Sequence, residues 1–207
     1  MDDLALCRKV YAAAKAGTLN CADAFDLSTS VLEWSPAEEH ATELASLSLE
    51  CAPAGRRRMA ELALTVLEAT DFEPGFAEEP QWLTRLEDAM ELVNRDVAAT
   101  GLRHTCRLRV HPDEPALTGN AYAQTWDGHV GTSGGVYPYA GADPVSALLA
   151  VADDTQDAVM HSLWSAWPVC PAHQLGVHAR LHHETAAWWC TGDDGHVVAR
   201  IGEWQNG

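Results

Sequence analysis

Between Trp167 and Trp204 the chain reads WPVCPAHQLGVHARLHHETAAWWCTGDDGHVVARIGEW, which puts two cysteines and five histidines into 38 residues. Cys170-x2-His173 sets a thiolate and an imidazole at the spacing of a tight ligand-bearing turn, and Cys190-x5-His196 supplies a second such pair. The residues between them fit an antiparallel hairpin. Val177, Ala179 and Leu181 alternate with His178, Arg180 and His182, a turn at Glu184-Thr185 follows, and Ala186–Trp189 returns. A third strand, His196–Ile201, comes after the loop TGDDG. Two ligand-bearing turns at one end of short strands imply a closed, four-coordinate metal site that substitutes for a core so few residues cannot build. The candidate ligands for Zn2+ are Cys170, His173, Cys190 and His196, with His178 competing with His196 for the fourth place. Two other readings stay open at this point. The same residues can hydrogen-bond in a metal-free ribbon, or Cys170 and Cys190 can form a disulfide, which a reducing cytosol disfavours.

The other aromatic and basic side chains of this segment have simpler explanations. Adjacent strand residues face opposite ways, so His182 and His183 cannot readily share one metal and are read as solvated. Trp188 and Trp189 diverge for the same reason. One is expected to anchor the ribbon to Trp164 or Trp167, the other to be exposed. From Trp167 to Glu203 the segment resembles a zinc ribbon. More specifically, it resembles the C-terminal motif CPxH…WWC…GHVVAxIGE of actinobacterial proteins that carry no assigned activity. It departs from the common ribbon by pairing Cys-x2-His with Cys-x5-His in place of two Cys-x2-Cys knuckles.

The composition of the whole chain is that of a globular protein, and the helix and strand patterns upstream make its expected fold class α+β. Of 207 residues 47% are apolar and 21% charged, enough to build a core and too little charge for disorder. The net charge is −17, with 8 basic against 19 acidic residues up to position 100 and 5 against 11 beyond it. Such a surface repels phosphate backbones and anionic lipid, so neither nucleic acid nor membrane is an expected partner. Arg56-Arg57-Arg58 is read as a solvated helix start. MDDLALCRKV lacks an apolar signal core and no apolar run of membrane-spanning length follows, so a cytoplasmic location is expected, with Cys7, Cys21, Cys51 and Cys106 reduced and buried.

Residues 1–78 read as a helical bundle. Leu4, Cys7, Val10, Tyr11 and Ala14 keep helical spacing up to Gly17, and Asn20 caps a second helix through Ala24, Phe25, Leu27, Val31 and Leu32. In WSPAEEH, Ser35 is the expected N-cap, Pro36 the first helical residue and Glu38 the partner in a capping box. A fourth helix carries Met59, Leu62, Ala63, Val66 and Leu67, followed by the loop DFEPGFAEEP.

Residues 79–166 read as an α-β-β-β-α unit, and 167–207 as the ribbon packed on its last helix. A helix from Trp82 to about Gly101 precedes strands at Cys106–Val110, Ala121–Trp126 and His129–Tyr137. Asp127-Gly128 is read as a type I′ turn, and TSGGVYPYAG as a strand with bulges. Asp143-Pro144 then opens the closing helix. This order resembles the double-stranded RNA-binding domain, but that domain's second helix grips phosphate with lysines, and here the helix starts GADPVSALLAVADD with no basic residue through Val159. Paired carboxylates at Glu38-Glu39 and Asp153-Asp154 are read as solvated. Cys190, His196 and Asp193 or Asp194 have the residue types of a nucleophile set, but such sets are usually assembled from distant elements. The preferred expectation is therefore a non-catalytic protein with a structural zinc-ribbon-like site that binds another protein as an interaction or regulatory module. The alternative is a metal-dependent hydrolase or biosynthetic enzyme, with water at an open metal position.

Overall fold

The computed structural model describes residues 3–70, 72–110 and 119–205 of the chain. Contacts divide it into two compact units, Met1–Glu78 and Glu79–Gly207. The fold is α+β, with helices first and the larger sheet last. No helix among the described residues is long and apolar enough to cross a membrane.

The first unit holds α1 (Asp3–Lys15), α2 (Cys21–Trp34), α3 (Glu39–Glu50) and α4 (Arg56–Glu68). Its core comes from the helically spaced residues Val10, Leu27, Val31, Leu44, Leu62 and Val66. Asn20 caps α2, its side chain accepting from the Asp23 amide at 2.9 Å and donating to the Asp23 carboxylate at 2.7 Å. The third helix starts later than the expected Ser35 cap. Ser35 closes α2 by donating its amide to the Val31 carbonyl, and a turn through Pro36 delivers Glu38, whose carboxylate caps α3 at the Ala41 amide. Glu38 thus caps, and does not merely lie solvated. Arg57 and Arg58 are exposed and pair with Glu61 and Glu43.

A second correction concerns the thiols. Cys21, at the start of α2, and Cys51, at the C-cap of α3, form a disulfide with Cα atoms 5.7 Å apart. They sit 30 residues apart in sequence at adjacent ends of two packed helices, a proximity that spacing alone does not reveal. Cys106 is buried and reduced, and burial pushes its thiol up to about 12.

The second unit contains α5 (Pro80–Ala99), β1 (Arg107–Val110), β2 (Ala121–Gln124), α6 (Pro144–Leu163), β3 (His178–His182), β4 (Thr185–Cys190) and β5 (His196–Arg200). Residues 79–166 and 167–207 both lie in it. β1 and β2 form an antiparallel pair, whereas the expected third strand is reduced to isolated bridges at Val130 and Val136. Gly134 and Gly135 take φ of 99° and 80°, two successive departures from extended backbone that interrupt the ladder. The segment bonds to α6 instead. Asp154 accepts from the Ser133 hydroxyl at 2.8 Å and from the Ala123 amide at 2.6 Å, while Asp157 accepts from the Thr132 amide and hydroxyl. Asp154 is accordingly buried, not solvated, and burial pushes its carboxyl above the usual range. At the Asp127-Gly128 turn only Gly128 has positive φ, so the loop is a three-residue turn with glycine in the left-handed position, not type I′.

β3, β4 and β5 form an antiparallel sheet in that order, with the hairpin turning at His183-Glu184 (φ 44° and 61°), one residue earlier than expected. Two buried polar side chains fix this sheet. Asp96 of α5, 0% exposed, accepts from the Trp188 indole at 2.7 Å and from the Gly202 and Trp204 amides at 2.7 and 2.9 Å. Burial pushes its carboxyl up, and those three donors pull it back. Gln156 of α6 donates to the Trp167 and Val177 carbonyls. Trp188 is fully buried and meets Trp167 edge-on at 5.7 Å, while Trp189 is half-buried beneath Arg180.

Two outcomes follow. Replacing Cys21 and Cys51 together by serine removes a cross-link whose loop-closure entropy over 30 residues is worth about 3 to 4 kcal/mol, and urea unfolding of the double variant should show that loss. An unchanged midpoint would mean that the bond contributes nothing. Asp96→Ala strands one buried and two part-buried donors and should cost roughly 3 to 5 kcal/mol in the same assay. A loss below about 1 kcal/mol would show that the donors find water.

Candidate metal centre

The first ligand-bearing turn is built by backbone bonds. Val169 and Gly176 bridge antiparallel, the Cys170 amide donates to the Leu175 carbonyl at 2.8 Å, and the Gln174 amide returns to the Cys170 carbonyl at 2.9 Å. Gln174 takes φ 57° to close the turn. This geometry aims the amides of Ala172 and His173 at the Cys170 sulfur. The second turn joins β4 to β5. Cys190 and His196 are directly paired across the strands, and the loop between them is closed by the Gly195 amide on the Gly192 carbonyl at 3.0 Å. The Gly192 amide also donates to the Cys190 sulfur at 3.3 Å.

Together the turns bring Cys170, His173, Cys190 and His196 to one point, with one ligand atom from each lying within 4.8 Å of all the others, close enough to hold a metal ion. The His173 Nδ1 is 3.4 Å from Cys190 Sγ and 3.7 Å from Cys170 Sγ, and the His196 Nε2 is 3.6 Å from Cys170 Sγ. Both cysteines are buried free thiols, so the structure contains no Cys170–Cys190 disulfide. His178, at the start of β3, is exposed and stands outside the four-residue group. His182 and His183 lie at the far end of the hairpin, in ring contact with each other.

The electrostatics suit a cation. Burial pushes both thiols up, but at Cys170 the His173 and Ala172 amides, the Cys190 thiol and His196 more than offset it and hold the group below its ordinary value. Cys190 stays raised, by burial and by the neighbouring Cys170. Cys170 is thus the readier of the two to give up its proton, and a metal that binds both sulfurs displaces the protons they still carry. His173 is oriented from behind. Its Nε2 lies 2.9 Å from the Asp193 carboxylate, which, with Cys170, raises its basicity. An Nε2–H donated to Asp193 leaves the Nδ1 lone pair for a metal, the usual role of a carboxylate behind a ligating histidine.

Reading the sequence located the donor-rich segment but missed two supports. Asp193 has the residue type of a nucleophile set, and nothing in its position three residues after Cys190 indicates that it faces His173. Gly192 is the other. A Cβ there would lie 2.5 Å from both Cγ and Nδ1 of His173, so only glycine lets the two turns close together.

Gly192→Ala should therefore push His173 off its position and weaken metal binding by about tenfold or more, as loss of a supporting contact typically does. Titration with cobalt(II), followed by its visible absorption, measures this, and an affinity equal to that of the unmodified chain would show that the turns have room to separate. Comparison with family models, with curated proteins and with solved structures gives no match to this chain.

Proposed function

We propose that Cys170, His173, Cys190 and His196 hold a structural Zn2+ and that the chain is a non-catalytic protein whose zinc-ribbon-like end serves binding to another protein. The observation that carries the metal reading is the set of sulfur–nitrogen separations. Metal–sulfur bonds near 2.3 Å and metal–nitrogen bonds near 2.0 Å at tetrahedral angles require S···N distances of about 3.5 Å. The three distances here are 3.4, 3.6 and 3.7 Å. Two thiolates and two imidazoles form a donor set that suits zinc and not the oxygen-seeking cations.

The choice of a structural over a catalytic metal rests on the donor count. Four protein donors complete the tetrahedron, whereas a catalytic zinc keeps a position for water. The carboxylate beside the site, Asp193, is engaged with His173 and so supports a ligand instead of acting as a base. For the protein partner, the support is apolar exposure in and next to this segment. Leu175, in the first turn beside the site, and Leu181, toward the far end of β3, are both exposed, and Trp164, just before the segment, is 86% exposed. With a net charge of −17, a protein is also a more readily accepted partner than a polyanion.

Elemental analysis of protein purified without chelator should find about one zinc per chain, and absence of metal would end this reading. Cys190→Ala separates the two metal roles. A structural site whose binding free energy is folding free energy predicts that the turns at 168–177 and 190–196 become cleavable in limited proteolysis, while α1 to α4 keep their protection. A catalytic metal on a preformed scaffold predicts unchanged protection at both turns.

A further inference from the structure

Away from the metal, Arg103, His104, Thr105, Arg107, Thr125 and Trp126 line a polar cleft of about 430 Å³ at the end of the β1–β2 pair, within the roughly 300–1,000 Å³ common for small-ligand sites. We propose that this cleft binds a planar aromatic anion with the chemistry of a nucleoside monophosphate.

Charge is the first argument. The chain carries −17 overall, yet three of its five basic residues beyond position 100, Arg103, Arg107 and Arg109, fall within seven residues here. Arg107 and Arg109 are both exposed and sit two apart on β1, so they share one face of the strand. Arg57 and Arg58, by contrast, are paired with the carboxylates of Glu61 and Glu43. Arg107 is held differently. Its Nε and one terminal nitrogen donate at 3.1 and 2.9 Å to Oε1 of Gln124, the residue paired with it across the ladder. A neutral amide fixes the direction of the guanidinium without neutralising it, and its other terminal nitrogen is not part of that bond. The planar fork is thus positioned before any ligand arrives, which is the condition for tight recognition of a phosphate or carboxylate.

Ring geometry is the second argument. His104 stacks on Trp126 with centroids 4.8 Å apart and planes 21° apart. His104 is exposed, so the stack presents a flat face at the cleft beside the guanidinium. A planar heterocycle extends such a stack favourably whatever its edge pattern. The carboxylate of the same turn, Asp127, keeps its charge but is oriented by the Thr125 and Ser162 hydroxyls, which donate to one of its oxygens at 2.7 and 2.8 Å, while His129 lies 3.9 Å from the other. These bonds also fix Thr125 in the cleft floor, where its hydroxyl is already satisfied, so the ligand's anion is left to the arginines. A volume of this size favours a single nucleotide over a strand of them.

Equilibrium dialysis of the metal-loaded full chain against adenosine monophosphate, adenosine, inorganic phosphate and a ten-residue oligothymidylate tests this. The monophosphate should bind at least about tenfold more tightly than adenosine or phosphate alone, because each half supplies only one of the two contacts. Arg103→Ala and Arg107→Ala should each weaken it by about tenfold, with circular dichroism and metal content unchanged. Trp126→Leu should weaken the monophosphate but not phosphate, and Trp126→Phe should restore it. Equal binding of phosphate and the monophosphate, indifference to both arginine variants, or tighter binding of the oligothymidylate than of the monophosphate would each overturn the proposal. The last result would mean a strand-binding groove.

Discussion

A carboxylate with no exposed surface, Asp96, holds the second unit together. It receives an indole from β4 and two amides from the turn after β5, so one α5 side chain fixes both the middle strand and the chain that leaves the edge strand. Burying a charge is costly, and only three short charge-assisted bonds make it tolerable. The geometry then propagates along β4. Trp188 is seated by Asp96, and Cys190 lies two residues further on the same strand and face. Gln156 does the equivalent for the other turn by gripping the carbonyls of Trp167 and Val177 on either side of Cys170 and His173.

This arrangement limits what a metal would have to do. The sheet has a core of its own in Val177, Ala186, Trp188 and Ile201, packed against α6. What that core does not reach is the pair of turns, where glycine, left-handed residues and sulfur-directed amides replace apolar contact. Zinc would fasten the turns to each other, with Asp193 steadying one imidazole from outside. The stabilisation a metal would add there is therefore local, separate from what Asp96 contributes at the other end of the same sheet.

The parts legible in the sequence were those written in local code. Helical spacing gave α1, α2, α4, α5 and α6. Asn20 acted as a cap as read, Asp143-Pro144 did open α6, and strand alternation placed the hairpin to within a residue. Donor spacing picked out the segment whose four members lie together. What escaped depends on contacts across long separations. Asp96 falls on the apolar face of α5 between Val93 and Val97, a polar residue in a core register, but nothing local names Trp188 as its partner. Asp154 likewise looked like half of a solvated pair until the glycine-rich segment crossed it. The disulfide and the late start of α3 were lost for related reasons. One depends on two helix ends meeting, the other on Pro36 serving a turn in place of a helix.

The sequence distance spanned by Asp96 also sets an order of events during synthesis. Its amide donors at Gly202 and Trp204 are 106 and 108 residues downstream. At roughly 5–20 residues per second, a nascent chain holds that carboxylate for on the order of 5 to 20 s before its partners are even made. The first unit, whose core lies wholly within Met1–Glu78, has every contact it needs long before then. Throughout that interval α5 carries a bare acid on an apolar face, which keeps the face hydrated and discourages its premature burial against the wrong surface. The residue that locks the finished unit thus delays the unfinished one.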